Sequence, residues 1–173
     1  MAGSGKDTIL KNVLKTYPQL HEIVSCTTRP PREGEINGKN YYFISNEEFA
    51  QKMYNMEMLE CTVFNDWCYG TPLSSLDKNK VNIGVFNLDG LEILLEDSRL
   101  DLTIFFVDAP KKTRLLRQLN RENNPDVDEI IRRYQTDEHD FKHIDFRLKE
   151  YIYLFNITPQ DIEKNTTIIG QYC

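Results

Sequence analysis

The chain opens "MAGSGKDTIL", and the fold turns on how residues 3–8 (Gly3, Ser4, Gly5, Lys6, Asp7, Thr8) are read. Two glycines two apart let backbone N–H groups curl around an anion without side-chain clashes. A lysine directly after them reaches terminal phosphates, and a hydroxyl on the next turn can ligate magnesium. Ile9, Leu10, Val13 and Leu14 then recur at helical spacing, which predicts a helix from near Lys6 that ends before Pro18. A glycine loop running into a helix N-terminus is an anion site of the α/β class. The stretch supplies the end of a Gly-x-x-x-x-Gly-Lys-Ser/Thr pattern, whose first glycine falls one position before Met1. Taken alone, the same residues also fit a flexible tail leading into a helix.

Composition sets limits on that reading. The 173 residues fit one domain with room for a core, and 40% hydrophobic with 28% charged residues is ordinary for a soluble globular protein. A net charge of −6 argues against a broad nucleic-acid footprint, so any bound phosphate must meet a local cluster of cations. Cys26, Cys61, Cys68 and Cys173 form no CxxC pair and no metal-ligand spacing with His21, His139 or His143, as expected of reduced thiols. No apolar run approaches the roughly 20 residues of a membrane span, and no signal-peptide layout is present. The expectation is a soluble, cytoplasmic protein with no nucleic-acid or membrane partner; the oligomeric state stays open.

Along the chain, "HEIVSC" and "NYYFI" read as strands, and "SNEE" as a capping box that opens a helix through about Tyr54, with Ser45 as cap and Glu48 three residues on. "LECTVF" and "WCYG" flank Asn65 and Asp66, a hairpin pattern. "TPLSSLDKNK" reads as a short helix or loop, and "NIGVFNL" as a strand buried on both faces. A helix near Leu91–Glu96 follows, then the strand "LTIFFV". "APKKTRLLRQLNRE" is a basic helix, interrupted at "NNPD" and resuming to about Phe141. "YIYLFNI" and "TTIIG" are candidates for the last strands, with a helical turn near "PQDIE". Alternating strands and helices predict a parallel sheet covered on both faces.

"SCTTRPPREGEINGKNYYF" places Ser25, Arg29, Arg32 and Tyr41 in one loop and the strand after it. Two arginines three apart, stiffened by prolines, make a fork suited to gripping a phosphate. Singly, a basic loop or a strand tyrosine is more often plain surface; together these residues form a set. From Ser25 to Tyr41 the stretch resembles the monophosphate-binding segment of guanylate kinases, S-x-T-T-R-x-P-R-x-G-E-x-x-G-x-x-Y. "LECTVFNDWCYGT" is similar to the family's next segment, with Glu60, Tyr69, Gly70 and Thr71 in place. The resemblance runs from Gly3 to about Arg133.

The resemblance implies an α/β fold in which a phosphate-loop sheet flanked by helices (1–28 and 82–173) carries a small mixed-sheet lobe (about 29–81) and a mobile lid (about 117–133). It implies transfer of phosphate from ATP to GMP or dGMP, with magnesium accompanying ATP. Gly3, Ser4, Gly5, Lys6, Asp7 and Thr8 would bind ATP, Thr8 also reaching magnesium. Ser25, Arg29, Arg32, Tyr41, Glu60, Tyr69, Thr71 and Asp89 would bind GMP. Glu60 would accept from the ring N–H and the exocyclic amine of guanine, a donor pair that adenine lacks, and Thr71 would donate to the guanine carbonyl. Lys6, Arg29, Arg121 and Arg133 would serve phosphoryl transfer, while Arg117 and Arg132 read as a solvated helix face.

Three departures stand out. Asn87 replaces the first acid of the family's "LDID", which removes a negative charge and would weaken magnesium binding. Asp7 replaces the residue after the loop lysine. The hydrophobic strand that leads into the loop in the family is not in this sequence, so the expectation is a reading frame that starts further upstream, or, if the chain starts at Met1, weakened ATP binding. Two other readings remain: a related kinase of different base preference, and a guanylate-kinase-like module that grips a phosphorylated partner without catalysis.

Overall fold

Apolar residues spaced three and four apart after Lys6 form a helix, α1 (Lys6–Thr16), that buries Ile9 and Val13. It is the first element of a computed structural model that describes residues 1–32, 34–64, 66–121 and 123–173. In chain order there follow β1 (His21–Glu22), β2 (Cys26–Thr27), β3 (Tyr42–Phe43), α2 (Asn46–Tyr54), β4 (Met58–Phe64), β5 (Trp67–Pro72), a 3₁₀ turn (Leu73–Ser75), β6 (Asn82–Ile83) and α3 (Leu88–Glu96). The remainder comprises β7 (Phe105–Asp108), α4 (Lys111–Leu119), α5 (Val127–Asp140), α6 (Ile144–Arg147), β8 (Ile152–Phe155) and α7 (Pro159–Gly170). The chain divides into two units, Met1–Tyr17 with Leu102–Cys173, and Pro18–Asp101.

In the first unit β7 and β8 pair in parallel, from Phe105 opposite Ile152 to Asp108 opposite Phe155. Helix α1 packs along α7, where Gly170 leaves space for the ring of Tyr17. The stretch "TTIIG", expected as a strand, is the last turn and a half of α7, and its β-branched residues yield to capping and packing. Asp161 Oδ2 accepts from the N–H of Thr158 at 2.8 Å, and Thr158 Oγ1 accepts from the N–H of Asp161 at 3.3 Å, with Pro159 in the first turn. Thr166 and Thr167 donate back to the carbonyls of Ile162 and Glu163, and Asn165, Thr166 and Ile169 are buried. Tertiary burial outweighs strand propensity here. The terminal turn is anchored too, with the ring of Tyr172 edge-on to Phe105 at 5.5 Å. The interruption expected near "NNPD" separates α4 from α5, which starts on the Asp126 cap; Glu122 lies outside the described residues.

In the second unit β1 and β6 form another parallel pair. A mixed sheet of order β3-β2-β5-β4 stands apart from it, with β2–β3 parallel and the other pairs antiparallel. The β4–β5 pair is the expected hairpin; Asp66 takes positive φ in its turn, and Asn65 lies outside the described residues. Alternation along these strands puts Glu60, Thr62, Tyr69 and Thr71 on one face. Cys26, Cys61 and Gly70 fall on the other, where Phe49 of α2 covers them. Burial pushes the Cys26 thiol up to about 12 and the Cys61 thiol up to about 11, and all four cysteines are free. Ser45 caps α2 as expected, its hydroxyl accepting from the N–H of Glu48.

"NIGVFNL" departs from expectation. Only Asn82 and Ile83 are strand, and the helix expected near Leu91 begins at Leu88 because Asn87 caps it, Oδ1 accepting from the N–H of Gly90 at 2.8 Å. Capping also yields a check on α7: Thr158→Ala should cost about 1 kcal/mol, read from the midpoint of urea unfolding with the slope unchanged.

Candidate functional site

In the first unit the glycine loop is held on three sides. Gly3 and Gly5 adopt φ of +72° and +90°, where a side chain is strained. A Cβ on Gly3 would run into the backbone carbonyl of Arg114, and one on Gly5 into the Asn156 amide. Asn156, at the end of β8, donates from Nδ2 to the Ser4 carbonyl at 2.7 Å. Arg117 of α4 donates from Nη1 to the carbonyls of Gly3 (3.3 Å), Ser4 (3.2 Å) and Asn156 (3.1 Å), and from Nη2 to that of Ile157 (2.9 Å). Arg117 is therefore no solvated face residue: its guanidinium gathers the loop and the end of β8. Arg114 is 2% exposed, bonds Glu138 at 2.6 Å and lies over the ring of Tyr134. Asp137 accepts from the N–H of Ala2 at 2.5 Å.

With its carbonyls held inward, the loop presents the start of α1, whose first N–H groups a helix leaves without internal partners. Lys6 Nζ lies 3.3 Å from Asp7 Oδ2. Desolvation opposes ionisation of Asp7, but Lys6, Arg121 and Lys11 together hold its carboxyl below the usual range. Thr8 is exposed in the first turn, and Ser4 Oγ and Asn156 Oδ1 are buried without a hydrogen-bond partner among the described residues. Arg121 is exposed just beyond α4, and Arg133 is half-buried on α5 beside Arg132, which pairs with Glu129 at 2.6 Å.

In the second unit the mixed sheet brings a second group of the expected residues together. Glu60 is 7% exposed, and its Oε1 accepts from Thr71 Oγ1 at 2.7 Å. Since the single Thr71 proton points to Glu60, Ser25 Oγ, 2.9 Å away, is the donor to Thr71. Burial raises the Glu60 carboxyl above its ordinary range, with the Thr71 bond partly opposing this. Arg29 is 8% exposed; Nη2 meets both oxygens of Glu35 at 3.0 and 2.9 Å, and Nη1 bonds the Pro30 carbonyl. Its guanidinium stands 5.8 Å from the ring centre of Tyr41 and 5.7 Å from that of Phe43. Tyr41 in turn meets Tyr69 edge-on at 6.0 Å. Glu35 Oε2 also accepts from the N–H of Arg32 at 2.7 Å. Burial works against the charge on Glu35, but these bonds from Arg32 and Arg29 hold its carboxyl low. Asp89 is exposed in the first turn of α3.

Asn156, Arg114 and Glu35 are the residues that sequence reading missed. Asn156 left a trace, a lone amide closing the strand "YIYLFN". Nothing in the local sequence separates Arg114 from its basic neighbours, and Glu35 was passed over between two arginine positions and a glycine.

A glycine loop on one α/β unit, together with a second, mixed-sheet unit that carries a buried arginine and a buried glutamate, defines a phosphate-loop nucleotide-binding protein. The family model described as guanylate kinase matches residues 1–169, and the chain belongs to the guanylate kinase family. It is 36% identical over 140 residues to the guanylate kinase of Nostoc sp., covering 78% of this chain and 69% of the relative. Against the guanylate kinase of Geobacter sulfurreducens it is 36% identical over 137 residues, covering 76% and 66%. These alignments therefore span about two thirds of the relatives' length. The crystal structure of guanylate kinase from Anaplasma phagocytophilum superposes with a TM-score of 0.69 at 26% identity, covering 99% of this chain and 80% of that one.

The Glu35 hook makes a direct prediction. Glu35→Gln should destabilise the protein by about 2 kcal/mol, measured by urea unfolding at neutral pH. With its folded-state pKa held low, Glu35 contributes stability that is present above the ordinary glutamate range near 4.5 and lost as pH falls through the lowered value. The gap between wild type and variant should close in that acid window.

Proposed function

We propose that this chain transfers the terminal phosphate of ATP to GMP or dGMP. The observation that carries the reading is Glu60, a buried carboxylate with one oxygen held by Thr71 and no cation paired to it among the described residues. Such a group is costly to keep unless a ligand supplies donors, and the ring N–H and exocyclic amine of guanine are a matched pair for it. Adenine would leave Glu60 unpaired. Arg29, Arg32, Tyr41 and Tyr69 take the monophosphate in this reading, with Ser25 and Asp89 beside the nucleotide. Arg29 arrives pre-oriented, because Glu35 and two rings hold it in place of water.

On the ATP side, Gly3, Ser4 and Gly5 shape the loop, and the N–H groups of the α1 start with Lys6 meet the phosphates. Lys6 is drawn from Asp7 to the incoming phosphates. The exposed Thr8 hydroxyl is a hard oxygen of the kind magnesium takes, and it has no hydrogen-bond partner among the described residues. Magnesium bound there with ATP would neutralise charge on the phosphates. The chemistry needs alignment and positive charge rather than a side-chain nucleophile. Arg121 and Arg133, in a segment of about 117–133 acting as a lid, add charge and exclude water. A phosphopeptide-gripping module would need neither the strained glycines nor Lys6, which favours turnover over mere binding.

A panel of nucleoside monophosphates in a coupled ADP assay tests the reading: GMP and dGMP should lead, and a preference for AMP or a pyrimidine nucleotide would overturn it. Glu60→Gln should lower kcat/KM for GMP about 100-fold while the melting temperature at neutral pH stays at or above that of wild type, because burial disfavours the ionised acid it replaces. For the same reason the KM for GMP should climb as pH falls through the raised Glu60 value, at a higher pH than for an exposed glutamate, as steady-state kinetics across acid pH would report.

A further inference from the structure

Strand β2 ends at Thr27, opposite Tyr69 of β5, and the chain then leaves the sheet through Thr28 and Arg29. The N–H of Thr28 still donates to the Cys68 carbonyl of β5 at 3.0 Å. By the alternation of an antiparallel pair the next donor on that side would be Pro30, which carries no N–H. Two hydroxyls strengthen the junction where the ladder stops. Thr27 Oγ1 donates to the Cys68 carbonyl at 2.8 Å, and with its one proton spent there it accepts from the N–H of Arg29 at 3.2 Å. Thr28 Oγ1 accepts from the N–H of Cys68 at 2.9 Å. Thr27 is fully buried.

These bonds fix two side chains at once. Arg29 is held at its root, where Thr27 closes a turn onto its N–H, while Glu35 and the Pro30 carbonyl hold its guanidinium. Cys68 is held at both of its backbone groups, and it directly precedes Tyr69. A guanidinium grips phosphate through bonds of fixed direction, so a shift at its root is felt at its tip. We infer that Thr27 and Thr28 are positioning residues for the monophosphate: their hydroxyls lock β2 to β5 at Cys68 and so set Arg29 and Tyr69 in one register toward the same phosphate. The inference rests on the proposed role of Arg29 and Tyr69 and adds the residues that aim them. Valine at Thr27 matches the shape but strips both bonds, leaving the buried N–H of Arg29 without its acceptor. Serine keeps the hydroxyl.

Calorimetric titration of the whole chain with GMP and with guanosine, which lacks the phosphate, tests this, because the ratio of the two affinities isolates the phosphate contribution. Wild type, Thr27→Val, Thr27→Ser, Thr28→Val and Arg29→Met are compared at a temperature where circular dichroism shows each one folded. Thr27→Val should cut the ratio about tenfold with guanosine affinity unchanged; a merely structural role would weaken both ligands alike. Thr27→Ser should restore the wild-type ratio. Thr28→Val, which strips the acceptor of the Cys68 N–H, should cut the ratio about threefold. A Thr27→Val ratio equal to wild type, an equal loss for both ligands, or a serine variant no better than valine overturns the inference. Where Thr27→Val fails to fold, Thr28→Val decides, and an unchanged ratio there overturns it. If GMP binds wild type no better than guanosine, or Arg29→Met leaves the ratio intact, the assignment of the monophosphate to Arg29 falls and the inference with it. A ratio lost in Arg29→Met but kept in Thr27→Val sinks the inference alone.

Discussion

A loop that turns its N–H groups outward to meet an anion must turn its carbonyls inward, and buried carbonyls need donors. Here two side chains from distant parts of the chain supply them. Arg117 gathers the carbonyls of Gly3, Ser4, Asn156 and Ile157, and Asn156 gives its amide to Ser4. The positive φ of Gly3 and Gly5, the close approach of Arg114 and the open start of α1 all hang on that arrangement. Without the donors, the strained glycines would have no reason to stay strained.

The mixed-sheet unit solves the complementary problem. It holds a cation and an anion short of water and gives each a partial partner from the protein. Arg29 has Glu35 and two rings; Glu60 has Thr71. Arg29 and Glu35 close a buried salt bridge, whereas Glu60 has no paired cation among the described residues. A buried charge left partly unpaired is expensive in a structural core and ordinary in a ligand pocket. That contrast is why Glu60 reads as a recognition group rather than a fold determinant.

Much of the proposed site was legible in the sequence, from spacing and from the family resemblance, because the residues proposed to meet phosphates and base sit in short contiguous runs: Gly3 to Thr8, Ser25 to Tyr41, Glu60 to Thr71. What escaped were residues acting at long range. Arg117 looked like one more basic position on an exposed helix, since nothing local reveals that its guanidinium ends among carbonyls more than a hundred positions away at Gly3 and Ser4. "TTIIG" read as a strand because β-branched residues favour one, and only the capping box at Thr158 with burial against the rest of its unit makes it helical. "NIGVFNL" read as a long strand because apolar runs look alike until a cap is seen; Asn87 ends it early by starting α3.

By itself the sequence determined the class of chemistry, since glycine spacing, a lysine, an arginine fork and a glutamate–tyrosine–threonine run are local requirements of phosphate and base recognition, written where the ligand touches. The tertiary structure alone decided which donors hold the loop, where Thr71 sends its single proton, and that Asn87 ties the start of α3 to Thr62 of β4. Those outcomes depend on contacts between segments far apart in the chain, and a hydrogen bond across such distances leaves no periodicity for a sequence to display.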